Sequence, residues 1–183
     1  MKKLLFLLLT PLLCISQNDF RKMNWDDSIN DLKEKYEDIS FTKETQDDFI
    51  VYSHSDNVGG IDATVIYTFK NDKLFAAGYL FSLNSFKDSK ERLKDFYSVS
   101  QRLNDKYDME RDDQWLVESW KDNPDYLYHA LRMGDVQLIE RGVSDETLIA
   151  HTLGQSDGSL SHNLFYTSEK TMNSIQEEIS DDF

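Results

Sequence analysis

Cysteine is almost absent from these 183 residues: Cys14 is the only one. No CxxC exists, and no intramolecular disulfide can form. Basic residues are also in deficit, with 20 Lys and Arg against 34 Asp and Glu and a net charge of −14. Charge of this sign repels nucleic acid and anionic lipid surfaces, so no nucleic-acid partner is expected. After residue 13 no apolar run approaches the roughly 18 residues of a membrane span, so no transmembrane segment is expected in the mature chain. Phosphate-binding and zinc motifs are missing too: Val58-Gly59-Gly60 is too short for a phosphate cradle, and there is no HExxH.

What is present begins with a leader. Lys2 and Lys3 precede an apolar run from Leu4 to Leu13, and Cys14-Ile15-Ser16 supplies small residues before Gln17. Residues 1–16 therefore read as a secretory signal peptide, and 17–183 as one exported domain, periplasmic or secreted. Cys14 stands where a lipid is attached in some exported proteins. Leu13 fits that motif poorly, so ordinary cleavage is preferred over a lipid anchor. Cleavage after Ser16 leaves no cysteine, and the loss of Lys2 and Lys3 leaves 18 basic residues against 34 acidic, a net −16. Solubility is the simple reading of this charge; a basic partner or divalent cations are the sharper ones. The remaining composition is that of an ordered domain, 39% hydrophobic and 13% aromatic, long enough to bury roughly 70% of its unfolded surface.

The mature chain opens with the stretch Asp19 to Ile39. Ser28 is an N-cap with Asp31 three residues on, and Ile29, Leu32 and Tyr36 share a face of a helix over about 29–37. Met23 and Trp25 precede the cap and are expected to pack on that face. A strand is expected over 49–53, a loop over 54–60, and a strand over 61–69 with Ile61, Ala63, Val65, Tyr67 and Phe69 inward. Lys70-Asn71-Asp72-Lys73 marks a tight hairpin turn, and 74–83 a central strand with both faces covered. Asn84 to Lys87 leads into a long helix over about 88–107, with Leu93, Phe96, Tyr97, Leu103 and Tyr107 on its apolar face and Val99 and Ser100 at the edge. Asp108 to Asp113 reads as a polar connector. Strands are then expected over 115–120, 126–133, 136–142, 146–153 and 160–167, and a short helix over 169–179.

This order predicts an α+β fold: an antiparallel β-sheet with helices packed on one face. It also suggests two helix-then-strands halves, 19–83 and 84–168, on element order alone. Certain residues resemble a known pattern. Trp25-Asp26-Asp27-Ser28-Ile29-Asn30-Asp31-Leu32 is similar to a W-G-x-S-x-x-x-[VL] opening in uncharacterised exported proteins of Bacteroidetes bacteria. Tyr67 to Leu74 resembles their Y-x-F-x-[ND]-x-[KR]-L hairpin, and Leu103 to Asp108 their L-x-x-K-Y-G helix end. The grammar is also similar to the small-protein-A and β-lactamase-inhibitor-protein-like folds. Asp26 and Asp108 stand where Gly is usual, and Asp tolerates left-handed backbone better than most residues. The resemblance implies an envelope-associated, protein-binding role and no catalytic residue.

Candidate chemistry is thin. His129, His151 and His162 fall on three expected strands and can converge, but strand-surface positions are preferred for them. His54 and Asp56 are close in sequence and do not make a site alone. Gly154-Gln155-Ser156-Asp157-Gly158 has the letters of a nucleophile elbow without strand–turn–helix context. Asp105, Asp108, Glu110, Asp112 and Asp113, with Asp122 and Asp125, lack the spacing of a calcium loop and read as a solvated connector. Trp115, Trp120, Tyr126 and Tyr128 are either an exposed binding face or, as preferred, core. No catalytic, cofactor-binding or metal residue is assigned, and no cofactor is expected. The expected function is a non-enzymatic, macromolecule-binding protein of the cell envelope. The alternatives are an acidic inhibitor or immunity-type protein, and a hydrolase with no recognisable motif.

Overall fold

The computed structural model describes residues 18–82, 89–121, 123, 125–156 and 159–181. The leader, with Cys14, and the lead-in Asn84 to Lys87 lie outside the described residues, as do Asp122 and Asp157-Gly158 of two stretches considered above.

A nine-stranded antiparallel sheet organises the chain, with the order β1-β2-β3-β4-β9-β8-β7-β5 and β6 beside β7. The strands are β1 (Thr42–Gln46), β2 (Phe49–Val58), β3 (Ile61–Lys70), β4 (Lys73–Phe81), β5 (Met109–Arg111), β6 (Gln114–Trp115), β7 (Val136–Ser144), β8 (Thr147–Ser156) and β9 (Ser159–Ser168). The helices are α1 (Ile29–Lys35), α2 (Ser89–Asn104), α3 (Leu127–Met133) and α4 (Glu169–Asp181). This is the α+β, antiparallel class that the pattern predicts.

Local chemistry sets the hairpins. Asn71 and Asp72 both hold positive φ, 52° and 61°, as the tight turn between β3 and β4 requires. Asp47 and Asp145 do the same at the β1–β2 and β7–β8 turns, and Gly59 and Gly60 at β2–β3. Asp26 is left-handed with φ 68°, in place of the glycine of the resembling pattern, and its N–H pairs with the Leu74 carbonyl. Asp108 is not among the described residues with positive φ.

Alternation then assigns the faces. Ile61, Ala63, Val65, Tyr67 and Phe69 are all buried on one side. Register carries that side across the sheet: Tyr52 opposite Tyr67, Tyr79 opposite Leu164, Ile149 opposite Tyr166. Helices α1, α2 and α3 cover this face through three clusters. The first joins Met23, Leu32 and Tyr36 to Tyr67, Phe69 and Leu74. The second joins Val99 and Leu103 to Ile61, Phe81, Ile149 and Leu164. The third joins Phe96, Ala130 and Leu131 to Val136, Leu138 and Leu153. Each fully buried Leu or Phe contributes roughly 1.5–3 kcal/mol. Helix α4 differs, setting Met172 beside Leu148, Ala150 and Thr167 on the other face.

Several expectations are corrected. The expected loop 54–60 is strand as far as Val58, because β3 pairs with its polar residues in unbroken register. Strand β1, TKETQ, is exposed throughout and offers no apolar alternation to read. The expected strand 126–133 is α3: Leu127, Ala130 and Leu131 share a helical face, and Gly134 closes it in left-handed conformation with φ 79°. The aromatic pair Tyr126 and Tyr128 mimics strand alternation there. The expected strand 115–120 shrinks to Gln114–Trp115, and a 3-10 turn follows at Glu118–Trp120. Within the connector 108–113, β5 pairs with β7. On α2 the buried residues are Phe96, Val99, Ser100 and Leu103, while Tyr97 is 40% exposed.

Candidate functional site

Two features collect unusual chemistry, one under the helices and one on the open face. Under the helices, β7, β8 and β9 each place a polar residue at an inward position. Glu140 on β7 stands opposite His151 on β8, and His162 on β9 is the diagonal neighbour of His151 on the same face. All three are buried: 4%, 0% and 2% exposed. Ser100 reaches them from α2 and donates to Glu140 Oε1 in a short hydrogen bond. His151 Nδ1 lies 2.9 Å from Glu140 Oε2, and the two Nε2 atoms of His151 and His162 lie 2.9 Å apart.

Donor–acceptor logic orders this chain. The ionised Glu140 carboxylate only accepts, so His151 donates from Nδ1. A neutral His151 then accepts at Nε2, and His162 donates from its own Nε2. Burial lowers the His151 pKa below its ordinary value against the raising pull of Glu140, which favours the neutral ring. Burial raises the Glu140 carboxyl, but the hydrogen bonds from His151 and Ser100 outweigh it, and the net shift is downward. Phe96 stacks on His151 at 4.1 Å, and Phe81 lies 4.4 Å from His162. The chain therefore sits between aromatic rings and strands. None of its four residues lines any of the clefts described here. Its present geometry orders donors and acceptors in the core, and among the described residues none of these clefts opens onto it.

The expectation of surface histidines is thus corrected at His151 and His162. The signal was available: both interrupt inward apolar series, Ile149/His151/Leu153 and His162/Leu164, and Glu140 follows Leu138 in the same way. His129 lies apart on α3, exposed and 5.2 Å from the Tyr126 ring. His54 is buried among Phe41 and Tyr67, and its Nδ1 donates to the Ser55 carbonyl. Asp56 pairs with Arg21 at 2.7 Å, so His54 and Asp56 do not form a dyad.

The open face is built from the alternate residues. Val51, Ile66, Leu148 and Phe165 are half-buried there, Leu80 is 37% exposed and Val143 59% exposed. At its β5 edge and beside α4 runs a groove of about 610 Å³. Val143, Leu148, Ala150 and Met172 line its apolar part, and Asp108, Glu110 and Arg141 supply its charged groups. The volume falls within the range of ligand clefts.

The acidic stretch is not one site. Asp113 pairs with Arg111 and accepts the Ile139 N–H, and Asp112 pairs with Arg141. Among the described residues no group of three His, Cys, Asp or Glu is arranged to hold a metal ion. Of the aromatics, Trp115 and Tyr126 pack against the third cluster. Trp120 stacks on Tyr126 at 3.7 Å and stays 38% exposed, and Tyr128 lies under the Lys90 ammonium. Gly154 to Ser156 belong to β8 and lead into another strand, not a helix. Comparison with protein-family models, with curated proteins and with solved structures finds no match to this chain.

Proposed function

We propose that this chain is an exported, non-enzymatic binding protein of the cell envelope that holds another macromolecule against the open face of its sheet. The supporting observation is the asymmetry of the sheet. Three helices cover one face, while the other, covered in part by α4 near Leu148, carries Val51, Ile66, Leu80, Phe165 and Leu148 half-buried or exposed. Apolar residues gathered on one face of a sheet, here interleaved with Ser, Thr and Asn, fit a partner better than residues scattered over the whole surface do. Export rests on the leader at residues 1–16. The resemblance to exported Bacteroidetes proteins and to the small-protein-A and β-lactamase-inhibitor-protein-like folds agrees with this reading. Two helix-then-strands halves are in keeping with a strand order in which β1-β2-β3-β4 meets β9-β8-β7-β5 at one antiparallel junction.

The net charge of −14 favours a second reading, an acidic inhibitor or immunity-type protein that covers a basic target. Salt separates the two: a charge-driven complex loses affinity steeply with ionic strength, and an apolar one does not. The hydrolase reading draws no support from the Ser100–Glu140–His151 chain, onto which none of the clefts described above opens.

The test is an affinity capture from the native envelope fraction with the mature protein and with Ile66→Glu/Leu80→Glu. A partner held by the first and lost by the second supports the proposal. A partner held equally by both, or repeated capture of nothing, overturns it.

A further inference from the structure

We propose that the groove beside β5 is a docking site for a cationic amphipathic segment of a partner protein. This rests on the binding role proposed above and names the chemistry of what binds.

The groove presents two kinds of surface to one occupant. Much of its wall is apolar, with Val143 from β7, Leu148 and Ala150 from β8 and Met172 from α4, and Arg141 of β7 lines it beside them with its guanidinium on Asp112. Met172 is an adaptable side chain suited to such a wall. Val143 is 59% exposed, although its strand neighbours Leu138 and Ile139 are buried. Burying Val143 together with Leu148 and Met172 gives an apolar anchor whose strength grows with the area removed from water.

The lip is acidic on balance: Asp108 and Glu110 line it, Asp112 follows them, and among the described lining residues the one cation is Arg141, opposite Glu110 in the β5–β7 register. Asp108 and Glu110 flank Met109 on β5, and alternation turns both away from the helix-covered face, where Met109 packs. Among the described residues neither carboxylate has a cationic partner. Nearby cations are occupied: Arg141 pairs with Asp112 at 2.7 Å, Arg111 with Asp113 at 2.8 Å, and the Lys106 ammonium lies over Tyr107. With Arg141 engaged by Asp112, the edge of the trough is negative on balance and complements a segment with Lys or Arg on one side and Leu- or Ile-like residues on the other. An anionic lipid headgroup or an acidic peptide meets repulsion at the same lip. A purely apolar ligand leaves the two carboxylates without a role.

The experiment uses the mature protein and two synthetic 18-residue amphipathic helical peptides, one of Leu and Lys and one of Leu and Glu, titrated by fluorescence anisotropy. The Leu/Lys peptide binds and the Leu/Glu peptide does not. Asp108→Lys/Glu110→Lys weakens Leu/Lys binding at least tenfold, and Val143→Glu does so at least fivefold. Glu34→Lys/Glu37→Lys, an equal charge reversal at exposed positions on and just after α1, changes it less than twofold. Equal weakening by the α1 pair shows attraction to net charge alone and overturns the site. Equal binding of both peptides shows a merely greasy trough and also overturns it. Thermal melts keep the variants comparable, since all substituted residues except Val143 are charged positions on the surface.

The same variants separate this inference from the one it rests on. If an envelope partner is lost with Ile66→Glu/Leu80→Glu but retained with Asp108→Lys/Glu110→Lys and Val143→Glu, the groove is wrong and the open-face role stands. If it survives all of them, the open-face role fails.

Discussion

Replacing Glu140 tests whether the buried Ser100–Glu140–His151–His162 chain is structural. Glu140→Leu removes the acceptor of two hydrogen bonds and strands their donors, Ser100 Oγ–H and His151 Nδ1–H, at sites 8% and 0% exposed. Each unpaired buried donor costs about 1–3 kcal/mol. The substitution also relieves the burial of a carboxylate, which offsets part of this. The expected net loss is about 3 kcal/mol, or roughly 6–12 °C in melting temperature for a chain of this size. Glu140→Gln behaves differently. Its carbonyl oxygen accepts from His151 and its amide donates to Ser100 Oγ, so both contacts keep a partner although the serine O–H loses its acceptor and charge assistance is lost, a smaller net cost of about 1–2 kcal/mol.

The pH dependence has a definite sign. The folded-state pKa values of His151 and Glu140 both lie below their ordinary values of 6.5 and 4.5. In each case the unfolded chain takes up its proton first as pH falls. The His151 contribution is complete above pH 6.5 and is lost progressively below it, and the Glu140 contribution declines below pH 4.5. Wild-type melting temperature therefore falls on acidification from pH 6.5, and the decline below pH 4.5 is shallower in Glu140→Leu. Scanning calorimetry of the three proteins from about pH 2.5 to 8 reads all of this. Glu140→Leu melting within 2 °C of wild type at pH 7.5, or Glu140→Gln falling as far as Glu140→Leu, refutes the reasoning.

Trp25 is half-buried, and its indole N–H donates to Thr147 Oγ1 at 2.9 Å, tying the opening stretch to β8. Trp25→Ala should cost about 2–3 kcal/mol in a urea titration, below the 3–5 typical of a fully buried aromatic. An unshifted midpoint would place Trp25 among binding residues instead. Gly78 sits on β4 where the sheet's two sides join, and a Cβ there meets the Leu164 carbonyl oxygen and the Phe165 ring. Gly78→Ala should cost about 1–3 kcal/mol and speed amide exchange along the β4–β9 pair. Unchanged exchange there would show that the strands part without loss.

The residues themselves specified much of the local structure. Ser28 and Asp31 form the anticipated capping box, and Asn71-Asp72 the anticipated turn, because caps and tight turns depend on a few adjacent residues. The inward series on β3 was legible because strict alternation has one interpretation. Alternation of Tyr126 and Tyr128 misled for the converse reason: seven residues carry either period, and only packing of Ala130 and Leu131 on Phe96 selects the helix. Strand β1 has no apolar code and exists because β2 offers it an edge. The functional features depended wholly on tertiary structure. Register across three strands brought Glu140, His151 and His162 together, although the sequence reading put the two histidines on strand surfaces and did not single out Glu140. The groove needs β5, β7, β8 and α4 side by side, with Asp108 and Glu110 turned outward by strand parity. Sequence determined which side chains were available, and long-range pairing determined which of them meet.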